Sequence, residues 1–231
     1  MKKLIQSFLP IFILSSQVFA IAGFGLNLNK SMYSVAESTS SLKVETVEVA
    51  TITQHAFDNG LGIGGYLYID AIPMVDLDIE GSLIISPYEF SFTNLLTSID
   101  KQQFGWVDAS GYITLQKKIL KLSIPFLAKA KLTAGAGVNS HSSTPMVDQK
   151  MMETVMGGAG NLESGTLDTD ELIKYLKDNK VSSTGFHIQA GLQFKLLMLD
   201  SFLFYRQVIV DDVIPDAKGF GSLNLRLGMG F

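Results

Sequence analysis

The chain has 231 residues, 47% of them hydrophobic and only 17% charged, with 21 glycines, no cysteine and a formal net charge of −4. So few charges, with the negative sign dominant, exclude a nucleic-acid-binding protein, and without cysteine a small disulfide-stapled secreted fold is excluded too. The first twenty residues are MKKLIQSFLPIFILSSQVFA. Lys2 and Lys3, the apolar run from Leu4 to Leu14 and the small-x-small triplet Val18-Phe19-Ala20 read as a secretory signal peptide, residues 1–20. Pro10 and Ser15-Ser16-Gln17 shorten its apolar run below spanning length. No cysteine follows the cut, so a lipid anchor is not indicated. After residue 20 no run of 18 apolar residues remains, which excludes helical spans. An exported, apolar β protein is left, over residues 21–231.

Period-two alternation runs through that mature region and predicts eight strands. In IAGFGLNLN, Phe24, Leu26 and Leu28 share a face. GLGIGGYLYIDA sets Leu61, Ile63, Leu67 and Ile69 against Tyr66, Tyr68 and Asp70. MVDLDIEGSLI sets Val75, Leu77, Ile79 and Leu83 against Asp76, Asp78, Glu80 and Ser82. GWVDASGYITLQKK opposes Val107, Ala109, Ile113 and Leu115 to Trp106, Asp108, Tyr112, Thr114 and Gln116. FLAKAKLTAGAGVNS opposes Phe126, Ala128, Ala130, Leu132 and Val138 to Lys129, Lys131, Thr133 and Asn139. TGFHIQAGLQFKLL opposes Phe186, Ile188, Leu192 and Phe194 to His187, Gln189, Gln193 and Lys195. SFLFYRQVIVDD is a strand of ambiguous phase. The eighth is GSLNLRLGMGF. AIPM, KILKLSIP and LMLDS read as short turns at one end. Residues 30–58, 93–103 and 139–183 read as long connections at the other, joined there by the short VIPDAK. A hairpin in KVETVEVATITQHAF would make ten strands. Eight is preferred, because Val47, Val49, Phe57, Leu61 and Ile63 keep one odd-numbered phase. Short turns at one end and long loops at the other mark a barrel of the bacterial outer membrane, with both termini on the periplasmic side.

In the last nine residues, Leu223, Leu225, Leu227, Met229 and the terminal Phe231 alternate with Asn224, Arg226, Gly228 and Gly230. This ending resembles the closing strand of bacterial outer-membrane β-barrel proteins. The resemblance implies that the last strand is presented to the barrel-assembly machinery and that outer-membrane lipid surrounds the chain. It names no particular family. The implied fold is all-β, an antiparallel up-and-down transmembrane β-barrel of about eight strands, with short helices in a long extracellular loop.

In such a barrel the leucines face lipid and the polar set fills the lumen. On SFLFYRQVIVDD this favours Arg206 inward, because a guanidinium facing lipid costs more than an amide. The charges then divide. Asp70, Asp76, Asp78, Glu80 and Asp108 lie on strands two to four, and Lys129, Lys131, Lys195, Arg206 and Arg226 on strands five to eight. The two walls face each other across a lumen narrow enough for side chains to fill. The expectation is an interior salt-bridge network that plugs the barrel, with a polar solute path as the alternative. Tyr88, Phe90, Phe92 and Trp106 read as an aromatic interface girdle, with Trp106 also able to point inward.

The loop 139–183 is too long for a plain connector. TPMVDQKMMETVMGG reads as a helix with Thr144 as N-cap and Pro145 at N1, and Val147, Met151 and Val155 share its face. DTDELIKYLKDNK reads as a second helix, with Asp168 and Glu171 spaced as a capping box. Met146, Met151, Met152, Met156, Leu172 and Leu176 give the loop an apolar surface. It either packs on itself over the mouth or receives a surface partner or a small hydrophobic ligand. Three scattered histidines, His55, His141 and His187, reproduce no catalytic triad, and no ligand spacing marks a metal site. No catalytic residue, metal or cofactor is therefore assigned. The preferred function is structural or surface interaction. A binding or transport barrel is the alternative, and a lipid-modifying enzyme the second alternative.

Overall fold

The computed structural model describes residues 22–44, 47–70, 74–94, 98–124, 128–155 and 169–230. Residues 1–21, which include the expected signal peptide, and Phe231 lie outside them. Among the described residues the strands in chain order are β1 (Ala22–Val35), β2 (Ser38–Val44), β3 (Val47–Gln54), β4 (Phe57–Ile69), β5 (Asp76–Asn94), β6 (Ser98–Ile124), β7 (Ala128–Ser143), β8 (Val181–Leu196), β9 (Leu199–Ile209) and β10 (Gly219–Gly230). Two helices, α1 (Gln149–Val155) and α2 (Thr169–Asp178), lie between β7 and β8. β1 pairs with β10 and β5 with β6, so eight strands close a ring, all antiparallel, from which β2 and β3 stand apart. Register partners lead from Ala22 through Ile69, Leu77, Leu115, Ala136, Ile188, Gln207 and Gly221 to Met32, ten residues up β1 from the start. That stagger, at ~3.3 Å per residue and ~4.8 Å between strands, tilts the strands by about 40° and leaves an interior that side chains can fill.

The outer surface is apolar. Leu26 is 63% exposed, Leu61 70% and Phe186 67%, while Asn27, Asp108 and Arg226 are wholly buried. A closed ring with leucine outside and arginine inside suits hydrocarbon as its solvent. In water, so extensive an apolar surface would drive association. Arg206 points inward and Tyr205 outward, which settles the phase of β9.

Three connections differ from expectation. Segment 30–58 is not a loop: β1 continues to Val35, and β2 and β3 form a hairpin whose Ala50–Gln54 pairs with Asn94–Phe90 of β5. Eight strands thus make the ring and ten the sheet. Segment 93–103 is likewise the top of a tall β5–β6 ladder that still pairs at Thr93 and Ser98. The reason lies on β5. Ile79, Leu83 and Ile85 face out, whereas Tyr88, Phe90 and Phe92 are buried inside. Above the lipid the apolar side of the strand changes faces, so the outward alternation fades while the strand goes on. Residues 118–124 of KILKLSIP are also strand, as β6 pairs with β7 as far as Ile124. A bulge between Lys118 and Leu120 resets its phase, and that reset reads as a turn in sequence.

The long loop starts later than expected, since β7 runs to Ser143. Thr144 does not cap a helix. Its amide donates to the Val107 carbonyl at 2.9 Å and its hydroxyl accepts from the Val107 amide at 3.0 Å, extending the β ladder. Asp148 caps α1 instead, with Oδ1 accepting from the Met151 amide at 2.7 Å. Asp168 and Met156 lie outside the described residues.

Candidate functional site

The centre of the lumen is a neutral cluster of two carboxylates and two guanidinia. β5 supplies Asp78 and Glu80, which sit on one face because they are two residues apart. β9 and β10 supply Arg206 and Arg226 from the opposite wall. Arg206 binds Glu80 with both terminal nitrogens, at 3.1 and 2.8 Å, and its Nε donates to Gln189 at 2.9 Å. Arg226 donates to Asp78 at 2.5 Å and pairs with Glu80. Asn27 of β1 donates to Glu80 at 2.9 Å, and Gln116 of β6 donates to Asp78 at 2.5 Å. The flat faces of both guanidinia are covered: Arg206 lies 3.9 Å from the Tyr112 ring centre, and Arg226 lies 4.7 Å from those of Tyr66 and Phe204. Arginine suits this site where lysine would not, because bidentate pairing and ring stacking both need its planar fork.

Nearer the short turns lies a second, looser group. Lys118 pairs with Asp70 and with Asp76, the latter at 3.1 Å, and Lys131 lies 3.4 Å from Asp70. On the other side Asp200 accepts from Tyr68 at 2.5 Å and from Gln193 at 2.9 Å, and Lys195 stands 3.7 Å away. Lys118 and Asp200 escaped the sequence reading. Both fell in presumed turns, Lys118 in KILKLSIP and Asp200 in LMLDS. Lys129 joins no ion pair among the described residues and is exposed.

Above the central cluster the lumen turns aromatic. Asp108, expected to face a cross-lumen base, pairs instead with His141 on the adjacent strand at 2.8 Å, both fully buried. His187 lies 2.8 Å from the Thr114 hydroxyl, and Thr184 faces outward. Gly137 makes that reach possible, because a Cβ there would stand 2.8 Å from the His187 ring. Higher still, Tyr33, Phe57, Tyr88, Phe104, Trp106 and Phe220 make a chain of ring contacts with centres 5.1–6.3 Å apart. Tyr88, Phe90, Phe92 and Trp106 are therefore not an interface girdle; all four are buried inside, where the barrel beyond its apolar belt needs a core.

The loop helices close this core from above. Val147, Met151, Met152 and Val155 are buried in the same cluster, with Met146, Leu172 and Leu176 packed against it. Met151 and Met152, part of the loop's apolar surface, are 2% and 4% exposed and belong to the core. Tyr88 Oη accepts from the Val147 amide at 2.9 Å and so fastens the cap to β5. Tyr175 of α2 donates to Asp148 at 3.3 Å, which ties α2 to the start of α1. Burial, followed by the Asp148 charge and hydrogen bond, pushes the Tyr175 hydroxyl up to about 12. Among the described residues no group of three metal-ligating side chains occurs.

On the closing strand, Leu223, Leu225, Leu227 and Met229 face outward against β1 and β9. No protein-family model matches the chain, and no curated protein matches it. Among solved structures it is similar to the outer membrane protein OprG of Pseudomonas aeruginosa, at 11% identity and a TM-score of 0.43, over 91% of this chain and 97% of that one. It is also similar to the N-terminal β-barrel domain of OprF from the same organism (10%, TM-score 0.39, 90% and 99%). A third is Neisserial surface protein A (12%, TM-score 0.38, 90% and 97%). These are small outer-membrane barrels, and no residue role passes from them to this chain. The barrel described here rests on its own closed register.

Proposed function

We propose that this chain is a sealed, non-enzymatic barrel of the bacterial outer membrane that holds an ordered cap at the cell surface. The observation that carries the reading is the filling of the lumen from bottom to top. The Asp78–Glu80–Arg206–Arg226 cluster blocks the middle, and the aromatic core blocks the outer third. A solute crossing the barrel would have to part a bidentate ion pair and unstack several rings. The methionines that would serve a hydrophobic ligand already serve the core. His141 and Asp108 form the nearest approach to a catalytic pair, but both are shut off from solvent. A surface role fits the cap, since α1, α2 and the β2–β3 hairpin are fixed to the barrel by packing and present one defined face. Export by residues 1–20 and assembly through the last strand belong to the same reading.

Planar-bilayer recording of the purified mature protein tests it. The expected record is a flat baseline with brief, rare openings at most. A steady conductance from single insertions would overturn the sealed lumen.

A further inference from the structure

A cleft of about 690 Å³ opens on the cap side of the barrel, between the end of β7 and the loop that joins β9 to β10. Ser143 of β7 stands directly opposite Val181 of β8, so the two share a sheet face. That face is the inward one, two residues along β7 from the buried His141. Ser143, Val181 and the buried Trp106 all line the cleft. It is therefore a recess in the mouth of the barrel, and Trp106 is its floor.

One wall of the recess is the loop DDVIPDAK, residues 211–218. Asp211, Asp212 and Asp216 are exposed there and join no ion pair among the described residues; Lys218 is the one base beside them. Between the acids, Val213 and Ile214 are buried and also line the cleft. The wall thus runs charge, carbon, charge. The facing wall, Thr144 to Met146, carries no charge. The floor adds a separate signal. Ser143 is 2% exposed, and its hydroxyl has no hydrogen-bond partner among the described residues. Buried hydroxyls are ordinarily paired, so this one is left to accept from a donor that enters the recess. That donor is not a chelated metal, because no three ligating side chains converge among the described residues. Charges spread along a wall, with carbon between them, match a cation whose charges are spaced along a methylene chain. The volume falls within the ~300–1,000 Å³ common for small-molecule sites.

We propose that this recess binds a linear polyamine, with ammonium groups against Asp211, Asp212 and Asp216, methylene runs along Val213 and Ile214, and the leading amine donating to the Ser143 hydroxyl. The recess ends at Trp106, so a bound amine leaves the lumen sealed, and conductance and binding test separate claims.

Trp106, the chain's single tryptophan, reports the site directly. Its emission is followed in the mature protein in non-ionic detergent at low salt, with spermidine or magnesium chloride added at matched ionic strength. A saturable change with spermidine and none with magnesium is expected. Asp212 (φ 65°) and Asp216 (φ 58°) hold left-handed backbone, which asparagine accepts as well as aspartate does. The triple variant Asp211→Asn, Asp212→Asn, Asp216→Asn therefore removes charge and keeps the loop. Exposed ion pairs change binding by about two- to fivefold each, so it should bind roughly tenfold to a hundredfold more weakly. Ser143→Ala should weaken binding about tenfold. Asp100→Asn, an exposed acid on β6, should change nothing. Absence of a saturable change in the wild type would overturn the site, as would a triple variant of wild-type affinity. A change that magnesium reproduces would reduce it to screening of an acidic loop and overturn it too. A Ser143→Ala protein of wild-type affinity would overturn the recess as the place of binding.

Discussion

Glu80→Gln removes the one charge that both arginines share while keeping the side chain's shape. Arg226 keeps Asp78 at 2.5 Å. Arg206 keeps the Gln189 oxygen at 2.9 Å, the face of Tyr112 at 3.9 Å and one amide oxygen at position 80, but no carboxylate. One guanidinium is then buried without a carboxylate, at a cost of about 3–5 kcal/mol. Stacking on Tyr112 already exists in the wild type and so offsets none of that loss. Relaxation of the lumen and entry of water bring the expected destabilisation to about 2–4 kcal/mol, still about 30- to 900-fold in the folded-to-unfolded ratio. Urea unfolding from bilayers reports it through the emission of Trp106, the chain's single tryptophan, which is 1% exposed. Arg206→Gln in the same molecule removes the orphaned charge, and the double variant should regain at least half of the loss. A Glu80→Gln protein within about 0.5 kcal/mol of wild type would refute the argument, as would a double variant no more stable than the single one.

Gly137→Ala tests the histidine storey. The added Cβ would meet the Ile113 carbonyl and stand 2.8 Å from the His187 ring, so a loss of about 1–3 kcal/mol is expected in the same unfolding assay, against no change for Ala136→Gly beyond propensity. The cap should loosen in alkali. Tyr175 holds its proton in the fold to about pH 12, while an unfolded tyrosine loses it near 10, so stability is intact below pH 10 and falls between 10 and 12. Proteolysis of the cap should accelerate over that window in the wild type and not in Tyr175→Phe; equal acceleration in both would locate the sensitive group elsewhere.

The ring itself was legible because lipid imposes one rule on every strand. From Phe24 to Met229 the outward residues are apolar wherever hydrocarbon touches them, and that regularity yields strand number, facing and closure. The rule lapses at both ends of the membrane. At the extracellular end β5 changes from Ile85 outward to Tyr88 inward, and the tall ladder was mistaken for a loop. At the short-turn end a bulge beside Lys118 breaks the alternation, and seven residues of strand, 118–124, read as a turn. Both errors come from reading the fading of one apolar face as the end of the strand.

The site was legible by side and not by partner. Alternation assigns Asp78, Glu80, Arg206 and Arg226 to the lumen, but which acid meets which base depends on the stagger of ten residues, and that is a property of closure rather than of any one strand. Asp108 shows the consequence. By count it belonged to an acidic wall awaiting a lysine, whereas the stagger carries it above the arginines to a level where His141 of the neighbouring strand pairs with it at 2.8 Å. The inward face of β5 records the whole gradient in eight alternate positions: Asp78 and Glu80, then Ser82, Ile84 and Ser86, then Tyr88, Phe90 and Phe92. Charges lie where the bilayer keeps water away and every pole must be paired, and rings lie where the barrel stands in water and needs an oily core of its own. A single strand thus carries two opposite solutions to burial, and the point where one gives way to the other marks the outer edge of the membrane.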